Sequence, residues 1–328
     1  MSQNEMSQNE MSQNKMSQDK VIAVLGATGT QGGAVARALL SGGDFAVRAV
    51  ARDASSPKAR ALAALGADVV EADLTDEAGL RRAFAGAHGA FLVTPYWEHR
   101  SPARELAEVE NLIGAAQAAG LRHVLWSTLE DTREVIAPGD HRMPVIGDGY
   151  RVPHFDVKGG VADALFAKSG LPTTYLLMSF YWDNLLGLAK PQRDPDGTLA
   201  LHLPLGDTAV AGVASEDIGR VARRVLRHPA ETIGATVPVV GEYLTGEQMA
   251  AALGAVLGEP VAYRPATHDQ FRAFGFPGAD ELGNMFQYYA EFPESYLGRR
   301  DLATARAVNP DPLGLTDFLT AHRAELTA

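Results

Sequence analysis

The chain contains no cysteine, so none of its 328 residues can form a disulfide, a thiolate zinc site or an iron–sulfur cluster. Basic residues are also scarce, with 29 Lys and Arg against 40 Asp and Glu and a formal net charge of −11. Nucleic acids and anionic membranes are bound by basic surfaces, so this composition argues against both kinds of partner. Any redox role must therefore use a bound group rather than a thiol.

Long apolar runs are missing as well. No stretch reaches the roughly 18–20 apolar residues of a membrane span, and the first residues lack the apolar core of a signal peptide, so we expect a cytoplasmic protein. Residues 1–20 instead repeat a polar unit, MSQNE, MSQNE, MSQNK, MSQDK. Such a repeat cannot bury enough apolar surface to offset its ordering entropy, which predicts a disordered tail.

From residue 21 onward, short apolar strands alternate with helical patterns, and glycine ends nearly every helix. The strands are predicted over 21–26, 45–52, 67–74, 90–95, 123–128 and 172–178. This alternation is typical of an α/β fold, the Rossmann or doubly wound parallel sheet. Because proline and glycine become frequent after residue 183, we predict a nucleotide-binding Rossmann domain over 21–182. Residues 183–328 then form a smaller α/β domain that caps it, part of which returns to the sheet.

A glycine-rich loop joins the first strand to the first helix. Gly26, Gly29 and Gly32 give the spacing G-x-x-G-x-x-G. Glycine allows a tight turn and close approach to a pyrophosphate, and the helix N-terminus offers free N–H groups to the phosphates. The loop therefore predicts dinucleotide binding, and the alternative is an ordinary strand–helix turn.

The end of the second strand indicates which dinucleotide is bound. Arg52 lies twenty residues after the last glycine of the loop, where an arginine suits the 2′-phosphate of NADP(H). Lys58, Ser55 and Ser56 could assist, whereas the carboxylate of Asp53 would repel a phosphate. We predict NADP(H) rather than NAD(H). The alternative is a solvated surface arginine.

Several segments together resemble one family. They are GATGTQGG, the arginine after strand two, VTPYWE after strand four, HFDVKG, SFYWDNLL, and FGFPGADELGNMFQYY at 274–289. The chain resembles the NmrA-like family of atypical short-chain dehydrogenases, and most closely the NmrA/HSCARG group of NADPH-responsive proteins. The resemblance extends from Val21 to the C-terminus.

The resemblance implies a Rossmann domain with NADP(H) at the carboxyl ends of the strands, and it assigns cofactor contacts residue by residue. These are Gly26, Thr28, Gly29, Thr30, Gln31 and Gly32 at the pyrophosphate, Arg52 at the 2′-phosphate, Asp73 and Leu74 at the adenine, Thr94 and Pro95 along the ribose and nicotinamide, Lys158 at the nicotinamide ribose, and Tyr181 and Asn184 near the nicotinamide.

One departure from short-chain dehydrogenases concerns catalysis. Their Tyr-x-x-x-Lys motif corresponds to His154 and Lys158 here, and Ser127 or Thr128 takes the place of the family serine. His154 suits general acid catalysis near neutral pH, or it only hydrogen-bonds the cofactor or backbone. Lys158 would orient the ribose, lower a neighbour's pKa or donate the proton itself.

Two tyrosines that follow strand ends are further candidates. Tyr96 and Tyr181 would each supply the phenolic proton that is missing at position 154, or each is an aromatic wall of the cleft. The histidines show no metal-ligand spacing such as HExxH, so we predict no metal site.

Two functions follow from these predictions. The first is an NADPH-dependent reductase that delivers hydride to a small carbonyl, quinone, imine or activated alkene. Its pocket would be walled by the aromatic residues Phe274, Phe276, Phe286, Tyr288 and Tyr289. The second is a non-enzymatic NADPH/NADP⁺ sensor that regulates a partner protein. We favour the reductase. The resemblance also makes a homodimer plausible.

Overall fold

The structure is a computed structural model that describes residues 20–327. The polar repeat predicted to be disordered lies outside these residues, apart from Lys20. The predicted α/β fold is confirmed, and each of the six strands expected before residue 180 is present with its ends within three residues of the predicted ones. Among the described residues, no helix is long and apolar enough to cross a bilayer.

The main sheet is parallel throughout. The described strands are β1 Val21–Leu25, β2 Ala46–Ala51, β3 Asp68–Glu71, β4 Gly89–Leu92, β5 His123–Thr128, β6 Thr173–Leu177, β7 Phe180–Tyr181, β8 Gln192–Arg193, β9 Leu199–Leu201, β10 Val210–Val213, β11 Thr236–Pro238, β12 Glu242–Leu244 and β13 Val261–Tyr263. Seven of them pair in the order β11-β6-β5-β4-β1-β2-β3. Helices cover both faces of such a sheet, which explains why its central strands are apolar runs.

Helices connect the strands and build most of the C-terminal region. They are α1 Thr30–Gly42, α2 Pro57–Ala64, α3 Glu77–Phe84, α4 Tyr96–His99, α5 Pro102–Ala119, α6 Pro153–Phe155, α7 Asp163–Ser169, α8 Ser215–Arg227, α9 Pro229–Thr232, α10 Gly246–Leu257, α11 His268–Arg272, α12 Ala279–Glu291, α13 Pro293–Gly298, α14 Leu302–Val308, α15 Leu315–Ala321 and α16 Arg323–Thr327. A π-helical segment, Asp156–Ala162, joins α6 to α7, and 3₁₀ turns cover Thr132–Glu134 and Trp182–Leu186.

The C-terminal region carries two small sheets and also contributes to the large one. One small sheet pairs β10 with β7 and β12, and the other pairs β9 with β8 and β13. Strand β11 pairs with β6 at the edge of the main sheet. The chain thus leaves the main sheet after β6 and returns to it with β11. The domain boundary expected near residue 182 stays a prediction.

A buried ion pair joins the C-terminal region to the main sheet. Arg300, which has no exposed surface, places two guanidinium nitrogens 2.8 and 2.7 Å from the carboxylate oxygens of Glu130, just beyond β5. The same guanidinium donates to the carbonyl oxygens of Met178, after β6, and Tyr296. Because every donor finds an acceptor, this buried charge is compensated.

The buried His123 at the start of β5 predicts a specific pH dependence of stability. Burial lowers the pKa of His123 to about 4, and the nearby His88 adds a smaller effect in the same direction. Below about pH 6.5, His123 binds a proton in the unfolded chain but stays neutral in the folded chain until the pH approaches 4. The free energy of unfolding should therefore fall as the pH falls, by up to ~3 kcal/mol near pH 4.

We expect His123→Gln to flatten this pH slope, as measured by urea unfolding between pH 4 and pH 7. The variant also changes the hydrogen bond to Thr174, so the slope and not the absolute stability is compared. The exposed His141 provides the control, and His141→Gln should keep the wild-type slope. An unchanged slope in His123→Gln would contradict the assignment.

Candidate functional site

The glycine-rich loop has the geometry that its sequence predicts. Gly26 adopts a left-handed backbone with φ of +60°. A Cβ on Gly32 would lie 2.4 Å from the carbonyl oxygens of both Leu25 and Gly26, which is too close for any side chain. No side chain in the described chain caps α1, which begins after Gly29, so the first N–H groups of this helix stay available to an anion.

A cavity of about 460 Å³ lies over this loop, at the carboxyl ends of β1 and β4. Strand order reverses between these two strands, which is where doubly wound sheets bind ligands. The cavity is lined by eleven residues predicted for the cofactor, namely Gly26, Thr28, Gly29, Thr30, Gln31, Gly32, Arg52, Leu74, Thr94, Pro95 and Tyr181. Asp73, Lys158 and Asn184 are not among its lining residues in the described part of the chain. The Asp73 carboxylate instead accepts hydrogen bonds from Thr75.

Arg52 reaches the cavity but already has an anionic partner. Its two terminal nitrogens lie 2.5 and 2.8 Å from the carboxylate oxygens of Glu98 on α4. Asp53, the acid that the sequence places beside Arg52, accepts hydrogen bonds from the backbone N–H and hydroxyl of Ser55. These bonds lower the pKa of Asp53. The carboxylate that faces Arg52 therefore comes from the loop after β4 and not from the neighbouring residue.

A chain of hydrogen bonds links three of the predicted residues. Ser127, at the end of β5, donates to the side-chain oxygen of Gln31 at 2.7 Å, and the Gln31 amide nitrogen donates to the hydroxyl of Tyr181 at 2.8 Å. Burial, and to a lesser degree the charge of Asp183, raises the pKa of Tyr181. The phenol thus keeps its proton at neutral pH, and because its oxygen accepts from Gln31, that proton stays free for a further acceptor.

Lys158 lies in the π-helical segment and turns toward the sheet. Its ammonium group donates to the hydroxyl of Thr94 and pairs with the buried carboxylate of Glu105. Thr94 in turn donates to Glu105 at 2.5 Å. Lys158 is only 7% exposed. The structure therefore joins Lys158 to the end of β4 through an acid that the sequence does not single out.

The imidazole of His99 and the carboxylate of Glu108 extend the cluster formed by Lys158, Thr94 and Glu105. The Nε2 atom of His99 lies 3.4 Å from Glu108 and 3.7 Å from Glu105, and all three facing atoms have no hydrogen-bond partner among the described residues. Three such groups form a possible ion-binding arrangement. However, Nδ1 of His99 accepts from the backbone N–H of Ser101, so Nε2 carries the ring proton and faces the carboxylates as a donor. The absence of a metal site stays a prediction.

His154 and Tyr96 meet at one buried acid, Glu281, in the first turn of α12. The carboxylate accepts from the backbone N–H of His154 at 2.8 Å, contacts its Nδ1 at 2.6 Å, and accepts from the Tyr96 hydroxyl at 3.1 Å. Burial, together with the charge of Glu281, raises the pKa of Tyr96. His154 and Lys158 thus have separate carboxylate partners, Glu281 and Glu105.

A second and larger cavity, of about 860 Å³, adjoins the first. Its walls are mostly apolar, and four of the five predicted aromatic residues line it, Phe274, Phe276, Phe286 and Tyr289. The fifth, Tyr288, is fully buried and donates to Glu130. The polar residues His154, Tyr181 and Asn184 also line this space, as does Ser179, whose hydroxyl is buried and has no hydrogen-bond partner among the described residues. Tyr181 lines both cavities.

The family model of the NmrA-like family matches residues 18–319. The chain belongs to the NmrA-like family. Its NmrA-like relatives include the NAD(P)H azoreductase of Xenophilus azovorans, 29% identical over 317 residues that span 94% of this chain and 100% of the azoreductase. The NmrA-like family domain-containing oxidoreductase FrzB of Cladobotryum sp is 27% identical and spans 93% of this chain and 98% of its own.

Solved NmrA-like structures share the fold. NmrA itself, a negative transcriptional regulator, superposes with a TM-score of 0.76 at 22% identity and covers 92% of this chain and 94% of its own. The NADPH-dependent quinone oxidoreductase QOR2 from Escherichia coli, solved with NADPH, gives a TM-score of 0.71 at 25% identity, covering 92% and 99%.

Sequence reasoning missed the three acids of this NmrA-like site, Glu98, Glu105 and Glu281. Glu98 and Glu281 lie inside segments that carry the family resemblance and Glu105 lies outside them, but an acid among many others has no local signal. Their partners are 46, 53 and 127 residues away in sequence, so only the tertiary fold identifies them.

The Lys158–Glu105 pair predicts a stability effect. Lys158→Met should destabilise the NmrA-like fold by about 3 kcal/mol, because it leaves a buried carboxylate without its cation. Adding Glu105→Gln should recover a large part of this loss, because the uncompensated charge is then removed as well. Urea unfolding of the two single variants and the double variant measures the coupling. Strictly additive losses would show that the two groups do not interact.

Proposed function

We propose that the protein is an NADPH-dependent reductase. Its substrate is a small conjugated acceptor such as a carbonyl, quinone, imine or activated alkene. The named activities of similar proteins, an NAD(P)H azoreductase and an NADPH-dependent quinone oxidoreductase, support an oxidoreductase that uses this class of cofactor. The observation that carries the proposal is that Tyr181 lines both the cavity over the glycine-rich loop and the larger apolar cavity.

The residues of the smaller cavity fit a dinucleotide. Glycine at position 32 lets α1 pack closely against the end of β1, where any side chain would collide with a carbonyl oxygen, and the uncapped N-terminus of α1 favours the pyrophosphate. Arg52 offers a planar fork to a 2′-phosphate. The bound nicotinamide supplies the hydride. Leu74 would border the adenine, and the roles of Asp73, Lys158 and Asn184 toward the cofactor stay predictions.

The protein's own contribution is to place the acceptor and to supply a proton. When a bound nicotinamide supplies hydride to one atom of the acceptor double bond, the Tyr181 hydroxyl would donate its proton to the other atom and become a phenolate. Gln31 and Ser127 orient that hydroxyl from the opposite side. His154, whose Nδ1 is held by Glu281, offers a second polar group to the same space. The phenolate regains its proton from water.

Steady-state oxidation of NADPH against a panel of quinones, azo compounds, imines, carbonyls and activated alkenes tests the proposal. We expect turnover with at least one acceptor class. Tyr181→Phe should lower kcat about 100-fold, the usual size of general acid catalysis, while the Kd for NADPH changes less than about twofold.

Tyr150 provides a matched control, because it lines neither cavity in the described chain and Tyr150→Phe should keep kcat. A panel without any turnover would overturn the reductase proposal. A Tyr181→Phe enzyme with wild-type kcat would instead move the proton donor to His154.

The sensor remains the second candidate, and one observation favours it. Within the described chain, Lys158 lines neither cavity and its ammonium group is taken up by Thr94 and Glu105, as expected of a protein that has lost catalysis. A sensor would bind NADPH and NADP⁺ without turnover and change its contact with a partner protein. A homodimer and a cytoplasmic location stay predictions.

A further inference from the structure

We propose that Glu98 sets the preference of this protein between NADPH and NADH by competing with the 2′-phosphate for Arg52. The inference rests on the proposed function, since it assumes that the cavity over the glycine-rich loop takes a nicotinamide dinucleotide. It concerns a residue that no cofactor motif in the sequence includes.

The geometry of the pair resembles the contact that Arg52 would make with a phosphate. Each of the two terminal guanidinium nitrogens contacts a different carboxylate oxygen of Glu98, at 2.5 and 2.8 Å. An arginine engages a phosphate through the same two-pronged arrangement. Both residues line the 460 Å³ cavity, and their side chains are 64% and 48% exposed. When a phosphate enters the cavity, both terminal nitrogens of Arg52 are therefore already hydrogen-bonded to Glu98.

The two cofactors make different demands on this pair. NADPH must take Arg52 from Glu98, and the released carboxylate then loses its cationic partner. An exposed ion pair contributes little to stability, so NADPH can displace it, but at a cost in affinity. NADH leaves the pair intact, and its ribose 2′-hydroxyl can donate to the Glu98 carboxylate, as it does to the acid of NAD-binding sites.

Glu98 is the acid that can play this part, because Asp53 is engaged elsewhere. The Asp53 carboxylate accepts two hydrogen bonds from Ser55 at 2.8 and 2.6 Å, and these bonds lie within its own turn. Glu98 comes instead from the loop after β4, across the cavity from the end of β2. The cofactor preference therefore depends on two strands rather than one.

The exchange requires only a side-chain movement. Glu98 lies on the one-turn helix α4, whose first residue, Tyr96, is fixed by its hydrogen bond to Glu281. Its last residue, His99, is fixed through Nδ1 by the backbone of Ser101. With both ends of α4 held, the backbone of Glu98 stays in place and its carboxylate rotates away when the phosphate arrives.

The test is the dissociation constant of NADPH and of NADH, measured by calorimetry for the wild type and for Glu98→Gln. Removing the competing charge should tighten NADPH binding about threefold to tenfold and leave NADH binding unchanged or weaker. The ratio of the NADH Kd to the NADPH Kd should therefore rise at least threefold. Glu98→Ala should move the ratio in the same direction.

Two comparisons make the result specific. Glu110→Gln removes an equal charge from an exposed position on α5 that lines neither cavity in the described chain, and its ratio should match the wild type. In an Arg52→Gln background, Glu98→Gln should no longer tighten NADPH binding, because there is no guanidinium left to release.

The inference is overturned if Glu98→Gln leaves the ratio within twofold of the wild type, or if its effect persists without Arg52. These outcomes would leave the proposed cofactor site intact. A wild-type protein that binds neither NADPH nor NADH would instead refute the proposed function. Thermal unfolding of each variant verifies that the protein measured is folded.

Discussion

The buried pair of Arg300 and Glu130 is the interaction on which the arrangement of the two cavities depends. Glu130 follows β5 and Met178 follows β6, and the same guanidinium binds both, so the C-terminal region is held against two adjacent strand ends. Five of the aromatic residues that wall the larger cavity belong to this region, namely Phe271, Phe274, Phe276, Phe286 and Tyr289. Without a firm attachment at the sheet, the apolar cavity and the glycine-rich loop would not share a wall.

A second theme is the pairing of each basic group near the site with a carboxylate. Arg52 binds Glu98, Lys158 binds Glu105, and the ring of His154 contacts Glu281. The chain has a net charge of −11, and three of its acidic residues contact these basic groups around the two cavities. Each of these basic groups is therefore positioned before any ligand enters, which reduces the reorganisation that binding or catalysis requires. An anion that binds Arg52 must replace Glu98.

The parts of the fold that the sequence predicts are those determined by local pattern. Apolar runs mark β1 to β6, and the glycines of the loop meet a steric demand that involves only neighbouring backbone, as at Gly32. The end of β4 was placed too late because Thr94 continues the apolar run, yet its hydroxyl turns to Lys158 and Glu105. Glu98 and Glu281 could not be identified in this way, since their partners are brought to them only by tertiary packing.

The π-helical segment Asp156–Ala162 changes how the motif around Lys158 should be counted. Its hydrogen bonds span five residues, as in the bond from the Asp163 N–H to the Lys158 carbonyl oxygen, so each turn is wider than an α-helical turn. Within it, residues four apart no longer point in one direction. Lys158 lies inside this segment and His154 just before it, and the two have different carboxylate partners. On an α-helix, a spacing of four residues would place His154 and Lys158 on one face. Here the same spacing leaves the two side chains with separate partners.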